Sequence, residues 1–169
     1  SPMIQLVVDS TAAIPKDFLE KHANVHVIPL FISVKGEYVP EYEATIEQVI
    51  DYSESTKKAV PTSQPSTGDF LKMFETIPKE DPIIVICITS GVSGTYNGAV
   101  LAARQSGRKN ITVINSRTTA IGMMEIVEDA LEFIDQGLSF EEISKALMKS
   151  AENMRTTFTV DTLDYLRRG

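Results

Sequence analysis

The 169 residues carry 43% hydrophobic side chains, 23% charged ones and a formal net charge of -7. That suits one soluble domain with a full core and excludes a disordered chain. Nucleic-acid binding is disfavoured as well, since phosphate backbones need a basic footprint and the chain has no basic run longer than pairs such as Lys57-Lys58 and Arg167-Arg168. The single cysteine, Cys87, rules out an internal disulfide. It sits in an apolar run and reads as a small buried hydrophobe.

In chain order, Ile4 to Val8 has the length and β-branched content of a strand, closed by Asp9-Ser10-Thr11. Pro15 stands where a first helical turn starts, followed by Lys16 to His22. Val25 to Val34 is a second strand candidate, with Pro29 demoting its middle to an edge or bulge. Lys35-Gly36-Glu37 is a turn. Thr45 is placed to cap a helix over Ile46 to Glu54. Val60 to Gly68 is a Pro/Ser/Thr loop, and Asp69 to Ile77 a short helix with Phe70, Leu71, Met73, Phe74 and Ile77 on its apolar side.

Pro82 to Thr89 is nearly continuous in apolar residues, as expected of a strand buried on both faces. After the tight turn Ser90 to Gly94, Thr95 to Ser106 forms an alanine-rich helix, and Ile111 to Ile114 a short strand. Thr118 to Gln136 is a long amphipathic helix stopped by Gly137. Ser139 and Glu142 form a capping box for a helix to about Met154. Thr156 to Val160 is a last strand, and Thr162 to Arg168 begins a last helix. This alternation predicts α/β: a mostly parallel sheet with helices on both faces.

In such sheets ligands bind beyond the carboxyl ends of the strands. Asp9-Ser10-Thr11, Thr89-Ser90, Asn115-Ser116 and Asp161-Thr162 all close strands, which predicts a hydroxyl-rich rim along one edge. The competing reading makes each of them an ordinary helix cap. Gly91-Val92-Ser93-Gly94-Thr95 lies between a buried strand and a helix, a geometry that aims backbone N–H groups at an anion. An ordinary serine cap with turn glycines accounts for it equally well.

The same stretch approaches a nucleophile elbow, but Thr95 replaces the last glycine. The only histidines, His22 and His26, precede Ser93, whereas hydrolases place the base last. A stand-alone hydrolase or acyl/phosphoryl-transfer enzyme using Ser93 is therefore the weaker alternative. Walker and dinucleotide fingerprints are missing, and His22, His26 and Cys87 make no metal cluster. No cofactor is expected. The prolines of Pro61-Thr62-Ser63-Gln64-Pro65-Ser66-Thr67-Gly68 stiffen a second hydroxyl-rich loop, a suitable carboxylate grip or simply a capped loop. Ile121, Met123, Met124, Ile126 and Val127 could line a slot for an acyl chain, or form a helix's core stripe.

Together these stretches resemble the DegV family. Val8-Asp9-Ser10-Thr11-Ala12 with Pro15 resembles its opening signature, and Thr62-Ser63-Gln64-Pro65-Ser66 with Gly68 and Phe70 its central loop. Ser90-Gly91-Val92-Ser93-Gly94-Thr95-Tyr96 resembles its strand-turn-helix signature, and Asp161 to Gly169 the segment leading toward its second domain. The resemblance implies a bacterial lipid-binding protein that carries a fatty acid, is not itself an enzyme, and serves a separate fatty acid kinase subunit that phosphorylates the presented carboxylate. It implies that Thr62 and Ser93 hold the carboxylate. Ser63, Gly94 and Thr95 are added from the anion-site geometry, and Asp9 and Ser10 from the rim. Arg167 matches an arginine near the head group and the kinase-facing rim. Asn115 departs from the family, which usually has Asp there.

Residues 1–169 are expected to be the family's N-terminal α/β domain, with the C-terminal domain absent and the acyl tunnel lying between the two. An apolar face left open in such a fragment favours self-association. Ser1-Pro2 precede Met3 and read as an appended pair. With no leader pattern and no stretch of the ~20 apolar residues a membrane span needs, a cytoplasmic location without membrane insertion is expected.

Overall fold

The computed structural model describes residues 2–88, 94–116, 118 and 120–168, with side chains as far as Met154. Its centre is a four-stranded, wholly parallel sheet in the order β2-β1-β6-β7: β1 (Gln5–Asp9), β2 (Val25–Ile28), β6 (Ile83–Cys87) and β7 (Ile111–Asn115). β1 and β6 are the middle strands, and every residue of both is buried. That is why Leu6 to Val8 and Ile83 to Cys87 are continuously apolar rather than alternating.

The pleat sends successive side chains to opposite faces. Leu6, Val8, Ile84 and Ile86 meet Met123, Ile126, Val127 and Ala130 of α5 (Ala120–Asp135) and Ile143, Leu147 and Ala151 of α6 (Phe140–Arg168). Val7, Ile83, Val85 and Cys87 meet Phe70 and Phe74 of α3 (Thr67–Glu75) and Ala99 and Ala102 of α4 (Thr95–Gln105). The expected architecture, parallel strands with helices on both faces, is the one observed. The alanines of α4 bring that helix close to the sheet, and Cys87 is fully buried.

Three local differences matter. The run Val25 to Val34 divides at Pro29 into β2 of the main sheet and β3 (Phe31–Val34) of a second one. β3 pairs antiparallel with β4 (Glu37–Pro40) and with the two-residue β5 (Thr62–Ser63). The turn between β3 and β4 holds Lys35 and Gly36 at φ 51 and 83. Positive φ at both central residues is what a two-residue hairpin needs. Between β4 and β5, Pro40 leads into a 3-10 turn (Glu41–Glu43), and Thr45 caps α2 (Ile46–Thr56) in a full capping box with Gln48. Thus the loop over Val60 to Gly68 contains a strand, short enough to escape a pattern reading.

The third difference is a correction. Thr156 to Val160 is no strand: α6 continues through it to Arg168. β-branched residues lower helix propensity by only tenths of a kcal/mol each. With no Gly or Pro between Ser139 and Arg168, nothing local stops a helix opened by the reciprocal Ser139–Glu142 cap.

Candidate functional site

The site is at the carboxyl ends of the parallel strands. β1 ends at Asp9, which is completely buried. Its Oδ1 accepts the Thr11 N–H at 2.9 Å, capping the 3-10 turn Ser10–Ala12, and its Oδ2 accepts the Ile88 N–H at 2.6 Å. One carboxylate therefore joins the exits of β1 and β6. Burial raises its pKa and outweighs the backbone N–H donors that lower it. On the other side of β6, Ser116 donates both its N–H and its hydroxyl to the Cys87 carbonyl, at 3.0 and 2.9 Å. Burial, and secondly the Asp9 charge, push the Cys87 thiol well up, so it is no thiolate nucleophile.

Ser10 is buried, and its Oγ accepts the Leu30 N–H at 2.9 Å. Leu30 in turn accepts the Glu41 N–H at 2.8 Å. Glu41 is half-buried; burial first, then the Asp9 charge, raise its pKa, while a hydrogen bond from Ser10 lowers it. This corner fastens the small antiparallel sheet to the end of the large one. Sequence reading had not singled out Glu41. It follows an unremarkable Pro40, and only the fold of the hairpin brings it beside Asp9.

Thr62 and Ser63 are exposed on β5, opposite Ile32 and Phe31 of β3. The adjoining Gln64 reaches the other predicted segment: its Oε1 accepts the Gly94 N–H at 2.6 Å. Gly94 is the cap residue of α4 and has no side chain to cap it with. Thr95, the first residue of α4, is fully buried. The structure thus brings together the Thr62-Ser63 segment and the Gly94-Thr95 helix start. Gln64 lay inside the quoted loop motif, but being uncharged it attracted no functional reading. Ser93 and Thr89-Ser90 lie outside the described residues. Arg167 lies in the last turn of α6, and its side chain and those of Asp161-Thr162 are also outside them.

Of the five residues suggested for an acyl slot, Met123, Ile126 and Val127 are core. Ile121 and Met124 instead line an open groove of about 710 Å³ with Ala12, Ala13, Pro15 and Phe18. Both of its walls begin where a parallel strand ends. The two histidines belong to the start of β2. His22 precedes β2 and stacks on Phe18, with ring centroids 4.4 Å apart. His26 Nε2 bonds Gln5 Oε1 at 2.8 Å, and Gln5 is held by Asp81 before β6. Both are at the amino-end half of the sheet. Among the described residues there is no group of side chains able to hold a metal and no helix long and apolar enough to cross a membrane.

The model of the family described as "Uncharacterised protein, DegV family" matches residues 3–169. A DegV domain-containing protein of Staphylococcus aureus strain COL is 36% identical over 166 residues, covering 97% of this chain and 58% of its own length. The chain therefore spans little more than half of such relatives. Among solved structures, a DegV family protein from Thermus thermophilus, reported for its fatty acid binding, has a TM-score of 0.79 at 28% identity. That match covers 89% of this chain and 54% of the other. DegV of Bacillus subtilis, described as a fatty acid binding protein, has a TM-score of 0.76 at 30% identity, over 90% of this chain and 55% of its own.

Proposed function

The chain belongs to the DegV family, and from that premise we propose that it holds a long-chain fatty acid by its carboxylate, does no chemistry on it, and presents it to a kinase subunit for phosphorylation. The observation that carries this reading is the 2.6 Å hydrogen bond from Gly94 to Gln64. It unites a hydroxyl-bearing strand and a helix start at the strand ends, where α/β sheets take ligands. Thr62 and Ser63 supply hydroxyl donors there, and the start of α4 supplies backbone N–H groups and a positive dipole end. The reading also assigns Ser93 to the grip, from its place in the sequence next to Gly94. Asp9 and Ser10 hold the frame, and Arg167 belongs to the partner-facing rim.

A carrier is favoured over a Ser93 hydrolase because the two histidines have other partners: His22 packs on Phe18 and His26 bonds Gln5. A general base must lie within hydrogen-bond reach of the proton it takes. The fatty acid binding reported for the Thermus and Bacillus proteins supports the ligand class. The open groove beside Ile121 and Met124 supports a place for apolar ligand surface. The remaining length of the relatives is the natural source of a second wall for the tail, and this chain is then their N-terminal domain.

Calorimetry with palmitate tests the grip. Thr62→Val and Ser93→Ala should each weaken binding about tenfold or more, since a hydrogen bond to a charged group contributes roughly 1.5–3 kcal/mol. Unfolding midpoints should stay put. Unchanged affinity in both variants would move the head group elsewhere. Adding a bacterial fatty acid kinase subunit and ATP to the loaded protein tests the presentation, and no acyl phosphate would end that part of the reading.

A further inference from the structure

We propose that Gln64 is the positioning residue of the head-group site, tying the Thr62–Ser63 strand to the start of α4 while keeping that junction free of negative charge. The proposal rests on the fatty-acid reading above. Gln64 joins segments thirty residues apart, through the bond from Gly94 N–H. On its other side, β5 pairs with the small sheet, through Ile32↔Thr62, Phe31↔Ser63 and the Ser33 N–H bond to the Pro61 carbonyl at 3.0 Å. Beyond the main-chain link through buried Pro65 to α3, the Gln64 side chain is the tie that sets Thr62 and Ser63 against the first residue of α4 among the described residues.

The surface of α4 is shaped to receive that loop. A Cβ on Gly94 would meet Gln64 Nε2 at 2.6 Å and Oε1 at 3.1 Å. One turn later, a Cβ on Gly98 would stand 3.8 Å from Thr67 Oγ1 and 3.9 Å from the Pro65 carbonyl. At the first of these spacings a side chain at 94 would displace the Gln64 carboxamide, so the bond between the two is kept by having glycine at 94.

The chemistry of the carboxamide explains why it is not a carboxylate. Glutamate would accept the same N–H with the same reach. It would also set a negative charge against the ligand's own and offer no donor. Glutamine accepts with its oxygen and leaves two N–H donors beside the amino end of α4. An anion site tolerates the second arrangement and is opposed by the first.

Two variants separate positioning from mere packing. Palmitate and 1-hexadecanol, the same tail with a charged or a neutral head, are each titrated by displacement of a fluorescent fatty-acid analogue. Amide exchange at Gly94 is followed by NMR. Gln64→Ala should weaken both ligands, roughly tenfold for palmitate, and speed exchange at Gly94. Gln64→Glu should leave hexadecanol affinity and Gly94 exchange near the wild-type values. At pH 8 it should weaken palmitate about tenfold or more, and the deficit should shrink as pH falls and the introduced carboxyl takes up a proton. Wild-type affinity for palmitate in Gln64→Ala, or in Gln64→Glu at pH 8, overturns the proposal alone. A wild-type protein that binds neither ligand removes the fatty-acid reading and this proposal with it.

Discussion

Replacing Asp9 measures how much of the sheet's carboxyl edge depends on one side chain. Its two oxygens accept the Thr11 and Ile88 N–H groups at 2.9 and 2.6 Å, and the residue is wholly buried. Asp9→Ala leaves both donors without an acceptor. At about 1–3 kcal/mol for each unsatisfied buried group, the loss is about 2–6 kcal/mol, reduced by the relief of burying a charge. Asp9→Asn keeps one acceptor and turns an amide toward the other N–H, so about 1–3 kcal/mol is lost. The pH dependence has a definite sign. The folded pKa is raised above the ordinary 3.8, so the folded state holds its proton more tightly than the unfolded state. Asp9's contribution is then fully present below about pH 3.8 and is lost as pH rises through the folded pKa. Asparagine has no such titration. Urea unfolding followed by circular dichroism should therefore rank wild type above Asp9→Asn above Asp9→Ala, with the first gap narrowing from acid toward neutral pH. An Asp9→Asn protein as unstable as Asp9→Ala, or a gap that widens with pH, would refute the reasoning.

Arg108 donates from Nη1 to the Phe74 and Ile77 carbonyls at 2.5 and 3.0 Å, and from Nη2 to those of Pro78 and Asp81. Arg108→Ala should cost about 1.5–3 kcal/mol, and Arg108→Lys should recover only part, because an ammonium lacks the planar fork. Equal melting temperatures for wild type and Arg108→Lys would dismiss the fork. Cys87 is fully buried with a thiol pushed well above its ordinary range. An aromatic disulfide reagent should accordingly modify it only as fast as the fold opens, and slower in proportion as urea is withdrawn. Rapid modification of the native protein would contradict that burial.

The main sheet was legible because its signal is strong. Ile83 to Cys87 has no polar residue, and only a strand covered on both faces tolerates that. The caps at Thr45 and Ser139 were legible because a hydroxyl just before an amphipathic run, with Glu142 three residues after Ser139, forms a local, self-contained motif. β5 was not legible, since two residues carry no periodicity and it pairs with β3 thirty positions away. The end of α6 was misread because Thr156, Thr157, Phe158, Thr159 and Val160 all favour strands intrinsically. A helix already propagating from Phe140 overrides that preference. Of the candidate site, the sequence singles out the two hydroxyl segments by their unusual composition. Gln64 and Glu41 are not singled out, since their roles exist only in three dimensions.

The excursion from Pro29 to Gln64 buries a single side chain, Ile32. Its two helical pieces, the turn Glu41–Glu43 and α2, bury none. A segment with so little interior of its own is a separate, weaker cooperative unit, whose backbone amides should exchange long before those of β1 and β6. Because Thr62 and Ser63 ride on that unit, a ligand gripping them must also supply the free energy to keep it closed. Affinity would then report on local unfolding as well as on contacts. A substitution such as Ile32→Ala, in the one buried side chain of the unit and directly behind Thr62, would loosen binding by raising the population of the open state.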